Sequence, residues 1–467
     1  MEKKSTISEE LFGDAEYNRY SIPLKNEIDI ISSIKVYKRR WLMLLIFILY
    51  STAINGQWLQ YSIISNIITR YYNVSPLWVD CTAMSYMFYY IPFIFPATYI
   101  SELVGIRWTL IFGGFLSCLG AWIKSYAVSP DSFWLVLVGQ SVVACTQVLM
   151  LPIPGRVAAK WFGSNELSTA TSIGVFGTQL GVAVSFLFPS IVVKNHDDME
   201  LVGKDLSSLS ISIGIVATVV LSIVILLFQE EPKLPPSKTR ALQKERVNGK
   251  AEGFLLPMRR LFSNRSFLIL CNSYGLSIGV LNAVATLLNQ MFLQHFEGGE
   301  EDAGRIGLLI VVTGMIGSVV FGIVLDKTHK FKEIAVIVYS STFCGQIVFA
   351  VAMLMEIKWM VYVTSILLGF FMSGYLALGY ELAAEYTYPE SEVLSAGILN
   401  IANNAYGIIL VLILSPIMQY CNSDAPVHIG LCLALFLGLL LTIFTKDEQR
   451  RQDARKRVTE YREIPTK

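Results

Sequence analysis

Long apolar stretches dominate the chain, and each approaches or exceeds the ~20 residues that a helix needs to cross the hydrocarbon core of a bilayer. They are too continuously apolar for the alternating strands of a membrane β-barrel. The sequence therefore predicts an all-α integral membrane protein with twelve transmembrane helices. We number these spans 1 to 12, at 41–69, 80–101, 107–126, 132–155, 167–193, 207–228, 266–291, 304–325, 335–355, 359–383, 393–420 and 427–445.

The composition excludes several classes of soluble protein. Charged residues make up 16% of the chain, against ~25% in ordinary globular proteins. A net charge of +1 lacks the excess of positive charge that is typical of nucleic-acid-binding proteins. The sequence contains no phosphate-binding loop, nucleophile elbow or metal-ligand spacing, and its cysteines are scattered. We therefore predict that the protein is not an enzyme, has no cofactor or metal, and needs no obligate protein partner.

Lysine and arginine predict the orientation, because cytoplasmic loops retain positive charge. They cluster before span 1, in the loop between spans 6 and 7, and after span 12. Both termini are therefore predicted to be cytoplasmic. The predicted segments are a cytoplasmic tail at 1–34, a six-helix bundle at 35–229, a cytoplasmic linker at 230–264, a second six-helix bundle at 265–446 and a basic tail at 447–467.

An internal repeat supports the division into two bundles. Arg156-Val-Ala-Ala-Lys160-Trp matches Glu381-Leu-Ala-Ala-Glu385-Tyr at an offset of 381 − 156 = 225. The loop after span 2 matches the loop after span 8 at an offset of 326 − 102 = 224. A duplicated unit in parallel orientation predicts two pseudo-symmetric six-helix bundles, which is an architecture of transporters.

The repeat also predicts a gate. Arg156 and Lys160 share one helix face at i, i+4 spacing, and so do Glu381 and Glu385. Opposite charges at matched cytoplasmic ends predict an ionic latch between the bundles that closes the inner mouth in the outward-open state. The alternative is that water and lipid headgroups solvate these charges. The predicted gating set is completed by three charges of the matched loops, Glu102, Arg107 and Asp326.

The middles of the spans contain almost no ionisable residue, since Asp80, Glu102 and Lys124 fall at span ends. Intramembrane ionisable groups are the usual ion relays, so we expect facilitated diffusion. A cationic cargo would meet no counter-ion, but aromatic ring faces can hold an ammonium. Trp58 stands among Asn55, Gln57 and Gln60 deep in span 1, and amides at that depth need partners or water. This cluster predicts a cavity wall.

Several motifs resemble one family. They are Gln57-Trp58-Leu-Gln-Tyr61, Gly139-Gln140 with Gln147, Trp161-Phe-Gly-x-Asn-Glu-x-Ser-Thr-Ala, and Thr387-Tyr-Pro-Glu-Ser-Glu392. Over roughly residues 35–450 the chain is similar to the feline leukaemia virus subgroup C receptor-related transporters of the major facilitator superfamily. The resemblance implies a central cavity, alternating access, and transport of choline and ethanolamine.

The resemblance also implies binding residues. Trp58 matches the cation-binding ring of the family, Gln147 a binding amide and Met87 a cavity-lining methionine. The chain departs from the family at two places, because Asn282 stands where the family has a second cage tyrosine and Asn404 where it has a glutamine. Asn282 lies 282 − 58 = 224 residues after Trp58, so it is expected to face the cavity. A carboxamide there leaves ethanolamine or another small polar amine open as cargo.

Two alternative functions stay open. The family has also been associated with haem export, but haem iron takes an axial His, Cys, Met or Tyr, and the four histidines fall in loops or at span ends. A transport-silent receptor or sensor could also keep the carrier fold. The leading prediction is a multi-pass carrier, placed in the plasma membrane, whose partners are a small amine and membrane lipid.

Overall fold

The computed structural model describes residues 35–150, 153–163, 166–236, 255–328, 330–388, 390, 392–445 and 450. The predicted tail at 1–34, most of the predicted tail at 447–467, and residues 237–254 of the predicted linker lie outside the described residues. Within the described ranges every regular element is helical.

The described residues of the first half form eight α-helices and one short 3-10 turn, Ser62–Ile64. The helices are α1 (Arg40–Asn55), α2 (Ser65–Tyr72), α3 (Pro76–Val104), α4 (Ile106–Tyr126), α5 (Phe133–Val148), α6 (Ile153–Trp161), α7 (Leu167–Val192) and α8 (Met199–Leu227).

The second half has seven described helices. They are α9 (Leu255–Ser263), α10 (Arg265–His295), α11 (Glu300–Thr328), α12 (Phe331–Leu354), α13 (Lys358–Thr387), α14 (Glu392–Cys421) and α15 (Ala425–Phe444). Helix α9 lies inside the predicted linker, so that segment is not wholly a loop.

The predicted fold class is confirmed. Within the described ranges, nine helices are long and apolar enough to cross a membrane, and α5 with α6 forms a tenth span that bends by 43°. Span 2 is α3, whose 29 residues extend over roughly 43 Å at 1.5 Å per residue. Span 1 is α1 followed by the 3-10 turn and α2. These twelve spans define a multi-pass, all-α membrane protein.

The sequence did not predict that two spans are broken. Span 1 was expected as one helix over 41–69, but residues 56–61 are not helical. Span 4 was expected over 132–155, but α5 ends at Val148 and α6 begins at Ile153. Both stretches are apolar enough to be predicted as continuous spans. Hydropathy indicates that a segment lies in the membrane, but it does not indicate whether the backbone is helical throughout.

The helices pack as two groups with two main seams between them. In the first group α4 packs on α5 and α8, and α1 packs on α7; in the second, α11 packs on α13 and α10 packs on α14. The seams between the groups are α7 against α11 and α3 against α14. The α7–α11 seam is tight because of glycines: a Cβ at Gly304 would stand 2.1 Å from Ser190 Oγ, and one at Gly307 would stand 2.3 Å from Phe186 Cδ1.

Candidate functional site

A cavity of about 300 Å³ lies between the two groups of helices. Helices α1, α3, α5 and α7 of the first group and α10, α11, α13 and α14 of the second contribute to its wall. All five predicted binding residues line this one cavity: Trp58, Met87, Gln147, Asn282 and Asn404. Their role in binding stays a prediction, but the structure brings them together as the sequence predicted.

Trp58 owes its position to the break in span 1. The segment 56–61, which we call the span 1 break, separates α1 from the 3-10 turn. Trp58 lies within it, partly buried, and its indole N–H donates to the carbonyl of Ala83 on α3 at 3.3 Å. This bond fixes the polar edge of the indole against α3, so the ring is free to present a face to the cavity.

Amide side chains form much of the polar lining. On the α1–α5 side, Gln147 Nε2 donates to Asn55 Oδ1 at 3.3 Å, while Gln147 Oε1 is buried with no hydrogen-bond partner. On α14, the amide nitrogen of Asn404 donates to the carbonyl of Asn400 at 2.8 Å. A buried acceptor without a donor costs free energy, so Gln147 Oε1 is suited to receive a hydrogen bond from a cargo molecule.

Asn282 and Met87 meet at the α14 backbone. The side chain of Asn282 on α10 is 9% exposed. A Cβ at Gly407 would stand 3.0 Å from Met87 Sδ and 3.3 Å from Asn282 Cβ. The missing side chain at Gly407 therefore lets both residues approach α14. Asn282 makes no side-chain hydrogen bond among the described residues, which leaves its amide available to the cavity.

The cavity combines aromatic rings with neutral polar groups. Its described lining contains no charged residue. Its rings are Trp58, Tyr86, Tyr90, Phe186 and Tyr380. Ring faces attract a cation, and amides orient its remaining polar groups by hydrogen bonds. The arrangement is thus suited to a small organic cation.

Polar contacts join the two groups of helices at one end of the molecule. We call this end, which carries the turns after α2, α7, α10 and α14, the far face. The carboxylate of Glu300 accepts from Asn66 Nδ2 and Asn195 Nδ2, both at 2.8 Å. Lys194 pairs with Glu301, and Asn289 Nδ2 donates to the carbonyl of Ile63 at 2.7 Å. These contacts close the cavity toward the far face.

Asp80 strengthens the same closure. It is 0% exposed, and its two carboxylate oxygens accept from Gln290 Nε2 at 2.7 Å and Ser415 Oγ at 2.6 Å. Asp80 belongs to α3, whereas Gln290 and Ser415 belong to α10 and α14. Sequence reasoning placed Asp80 at a span end and overlooked this contact, because a position near a helix end does not reveal what packs over that end.

Lys124 is likewise at a helix end but not in water. It is 2% exposed, and its ammonium donates to Gln57 Oε1 at 2.9 Å and to Gln140 Oε1 at 3.0 Å. Asp80 and Lys124 thus lie near helix ends, where the sequence placed them, but both are buried. Neither lines the cavity, so the expectation that a cationic cargo meets no counter-ion agrees with the lining.

The predicted gating residues lie at the opposite end, the terminal face, where α1 begins and α15 ends. Lys160 pairs with Glu230 and with Glu231, the latter at 3.3 Å. Arg156 donates to Ser101 Oγ at 2.6 Å. Lys160 and Arg156 thus have partners in their own half, and the latch to the second half stays a prediction for the outward-open state.

The other predicted gating residues differ in exposure. Glu102 and Glu381 are exposed, whereas Glu385 is buried. The backbone N–H of Arg107 donates to Glu230 Oε2 at 2.6 Å. The side chain of Asp326 lies outside the described residues.

Glu230 caps the start of α4. Burial by itself would raise the pKa of Glu230, but hydrogen bonds from the Arg107 N–H, the Lys160 ammonium and the Ile106 N–H, together with the charge of Lys160, hold the pKa below its usual value. A carboxylate at a helix N-terminus is stabilised by the helix dipole. Glu230 therefore ties the end of α8 to the start of α4 and to Lys160.

Solved structures share this fold at low sequence identity. A bacterial homologue of the human lysosomal transporter Spinster, inward-facing and unoccupied, aligns with a TM-score of 0.64 at 14% identity over 88% of this chain and 96% of that chain. The E. coli fucose:proton symporter FucP aligns with a TM-score of 0.59 at 13% identity over 87% and 98%. The chain therefore shares the overall fold of these two transporters.

Sequence comparison identifies the family. Residues 46–411 match the Major Facilitator Superfamily. The choline/ethanolamine transporter flvcr2a of Danio rerio is 42% identical over 428 residues, covering 92% of this chain and 91% of the relative. The human choline/ethanolamine transporter FLVCR2 is 42% identical over 430 residues, covering 92% and 81%. The chain belongs to the FLVCR family of the major facilitator superfamily, as the sequence motifs predicted.

Proposed function

We propose that this protein is a facilitative carrier of a small organic cation, choline or ethanolamine, and works by alternating access. The observation that carries the proposal is the cavity between the two groups of helices, whose described lining is uncharged and combines the ring of Trp58 with several amide side chains. A ring face is worth from about 0.5 kcal/mol at an exposed site to about 2 kcal/mol at a desolvated one for a bound cation. The names of the relatives support the same cargo.

The contacts of the far face support a definite step of the transport cycle. With lysine and arginine concentrated at the terminal face, we assign that face to the cytoplasm and both termini with it. The plasma membrane is the proposed location. The closed far face then corresponds to a carrier closed toward the outside. Opening it requires the bonds of Asp80 and Glu300 to break while the terminal face closes.

Uptake of radiolabelled choline and ethanolamine into proteoliposomes tests the proposal. Wild type should show saturable uptake of at least one amine, and Trp58→Ala should raise KM by roughly thirtyfold, the equivalent of about 2 kcal/mol. Trp134→Ala is the matched control, because Trp134 is an exposed indole outside the cavity lining. Wild-type binding of amines without uptake would instead support a receptor or sensor.

The haem alternative gains no support from the described histidines. His295 and His428 both contact Asp424, and His196 contacts Asp205. None of these three lines the cavity. Saturable porphyrin transport that competes with choline would overturn our preference for the amine.

A further inference from the structure

Lys124 is buried in the first half of the molecule, outside the cavity, and none of its hydrogen-bond partners among the described residues is a carboxylate. Its ammonium donates to two neutral oxygens, Gln57 Oε1 at 2.9 Å and Gln140 Oε1 at 3.0 Å, and lies 6.0 Å from the centre of the Tyr61 ring. Burying a charge is costly unless it is well bonded. The position therefore needs a structural reason, and the span 1 break supplies it.

The span 1 break leaves backbone carbonyls without helical partners. Non-helical backbone at membrane depth is tolerated only where other groups bond to it. Here a single side chain does so, because Gln140 Nε2 on α5 donates to the carbonyls of Gln57 at 2.7 Å and Trp58 at 3.2 Å. Gln140 thus holds the backbone of the residue whose ring lines the cavity.

Lys124 determines which way the two amides point. A lysine ammonium donates hydrogen bonds and accepts none, so each glutamine must turn its oxygen toward Lys124. The nitrogen of Gln140 then faces the carbonyls of the span 1 break, and the nitrogen of Gln57 donates to Ser117 Oγ at 3.1 Å. A neutral apolar side chain in place of Lys124 would leave Gln57 Oε1 buried without a donor, and Gln140 Oε1 would keep only the long 3.5 Å bond from Gln60 Nε2.

Two glycines make room for this arrangement. A Cβ at Gly139 would stand 2.6 Å from Lys124 Cγ, and a Cβ at Gly120 would stand 2.5 Å from the carbonyl oxygen of Gly139. The absence of both side chains lets α4 and α5 approach closely. The stem of Lys124 can therefore lie across α5 and reach Gln140, the residue after Gly139.

The second half of the molecule provides an internal comparison. Shifted by the repeat offset of 224, Gln57, Lys124 and Gln140 fall on Leu281, Val348 and Thr364. None of these can supply an ammonium or a long amide. Correspondingly, α10, which is the repeat mate of span 1, is one unbroken helix from Arg265 to His295. The break and the Lys124 network thus occur together in one half and are both missing from the matched helices of the other.

We propose that Lys124 is a positioning residue that fixes the span 1 break, and with it the ring of Trp58, through the amides of Gln57 and Gln140. The role of Trp58 in binding rests on the proposed function, whereas the ordering of the span 1 break does not. Lys124 touches no cargo in this assignment. Its removal therefore weakens cargo binding through the geometry of Trp58.

The test uses the full-length protein with Lys124→Met, which keeps the apolar stem and removes the donors. Hydrogen–deuterium exchange of the backbone amides in 56–61 should become faster by about tenfold. The KM for choline or ethanolamine should rise by about tenfold, while the maximal rate per folded carrier changes by less than about twofold. Gln140→Leu removes the amide that donates to the carbonyls of Gln57 and Trp58, so it should reproduce both effects. It is the replacement variant if Lys124→Met does not fold.

Gln346→Met is the matched control. Gln346 on α12 lies near the repeat position of Lys124 and is a buried amide that has no hydrogen-bond partner within the part of the chain that the structure describes. It should change neither exchange in 56–61 nor KM. Unchanged exchange in both Lys124→Met and Gln140→Leu would overturn the proposal, as would a loss of thermal stability with unchanged KM. If wild type transports neither amine, the proposed function fails, and the exchange comparison still decides whether Lys124 orders the break.

Discussion

Replacing Asn282 with tyrosine should change which amine the carrier prefers. Asn282 lines the same cavity as Trp58 and has no side-chain hydrogen bond among the described residues. Its carboxamide can accept a hydrogen bond from a primary ammonium, which a trimethylammonium group cannot donate. In Asn282→Tyr the cavity loses that amide and gains a further ring face.

The size of the effect follows from these two changes. A ring face is worth about 0.5–2 kcal/mol to a cation, which lowers the KM for choline by roughly twofold to thirtyfold. Loss of one net hydrogen bond, at about 0.5–1.5 kcal/mol, raises the KM for ethanolamine by roughly twofold to tenfold. The ratio of the two specificities should therefore move toward choline by roughly fivefold to a few hundredfold.

Competition between labelled choline and unlabelled ethanolamine in proteoliposomes measures this ratio directly. Asn282→Leu is the control, because it removes the amide without adding a ring. It should weaken ethanolamine uptake at least as much as Asn282→Tyr does and leave choline uptake nearly unchanged. If the tyrosine and leucine variants shift the ratio equally, or if neither shifts it, the side chain at 282 does not contact the ammonium and the reasoning fails.

Three further perturbations address the conformational cycle and the terminal face. Gly307→Val places a side chain 2.3 Å from Phe186, so it should hold the far face open; an impermeant thiol reagent should then label a cysteine introduced into the cavity from the far side faster than in wild type. Reversing Arg156 and Lys160 to glutamate should favour conformers open at the terminal face, and unchanged accessibility from that face would remove the latch hypothesis. Glu230→Gln should lower the stability of the protein at neutral pH. In the wild type, hydrogen bonds outweigh burial and lower the pKa of Glu230, so its carboxylate stabilises the fold at neutral pH and this stabilisation is lost as the pH falls below the ordinary pKa of 4.5. The difference in unfolding temperature between variant and wild type should therefore shrink at acidic pH.

The sequence predicted the membrane class, the number of spans and the duplication, because each is recorded in the spacing of apolar residues and in repeated motifs. It also predicted the cavity wall at Trp58, since amides in an apolar span need partners or water. Asn282 was expected to face the cavity from its repeat offset alone, and the structure places it in the lining.

What the sequence did not show depends on contacts between distant helices. The carboxylate of Asp80 contacts residues 210 and 335 positions away along the chain, which no local pattern encodes. The span 1 break was missed for a similar reason. Its carbonyls bond to Gln140, a residue 83 positions after Gln57, and the motif Gly139-Gln140 was noticed only as a family resemblance.

A cavity lined by neutral groups has a consequence for energetics across the whole membrane. If nothing in the wall offsets the charge of a univalent ammonium, the loaded carrier moves one elementary charge per cycle and the empty carrier returns without it. The membrane potential then acts only on the bound cation, with a free energy of about 2.3 kcal/mol per 100 mV. That potential would sustain an inside-to-outside gradient of roughly fiftyfold with no second ion bound.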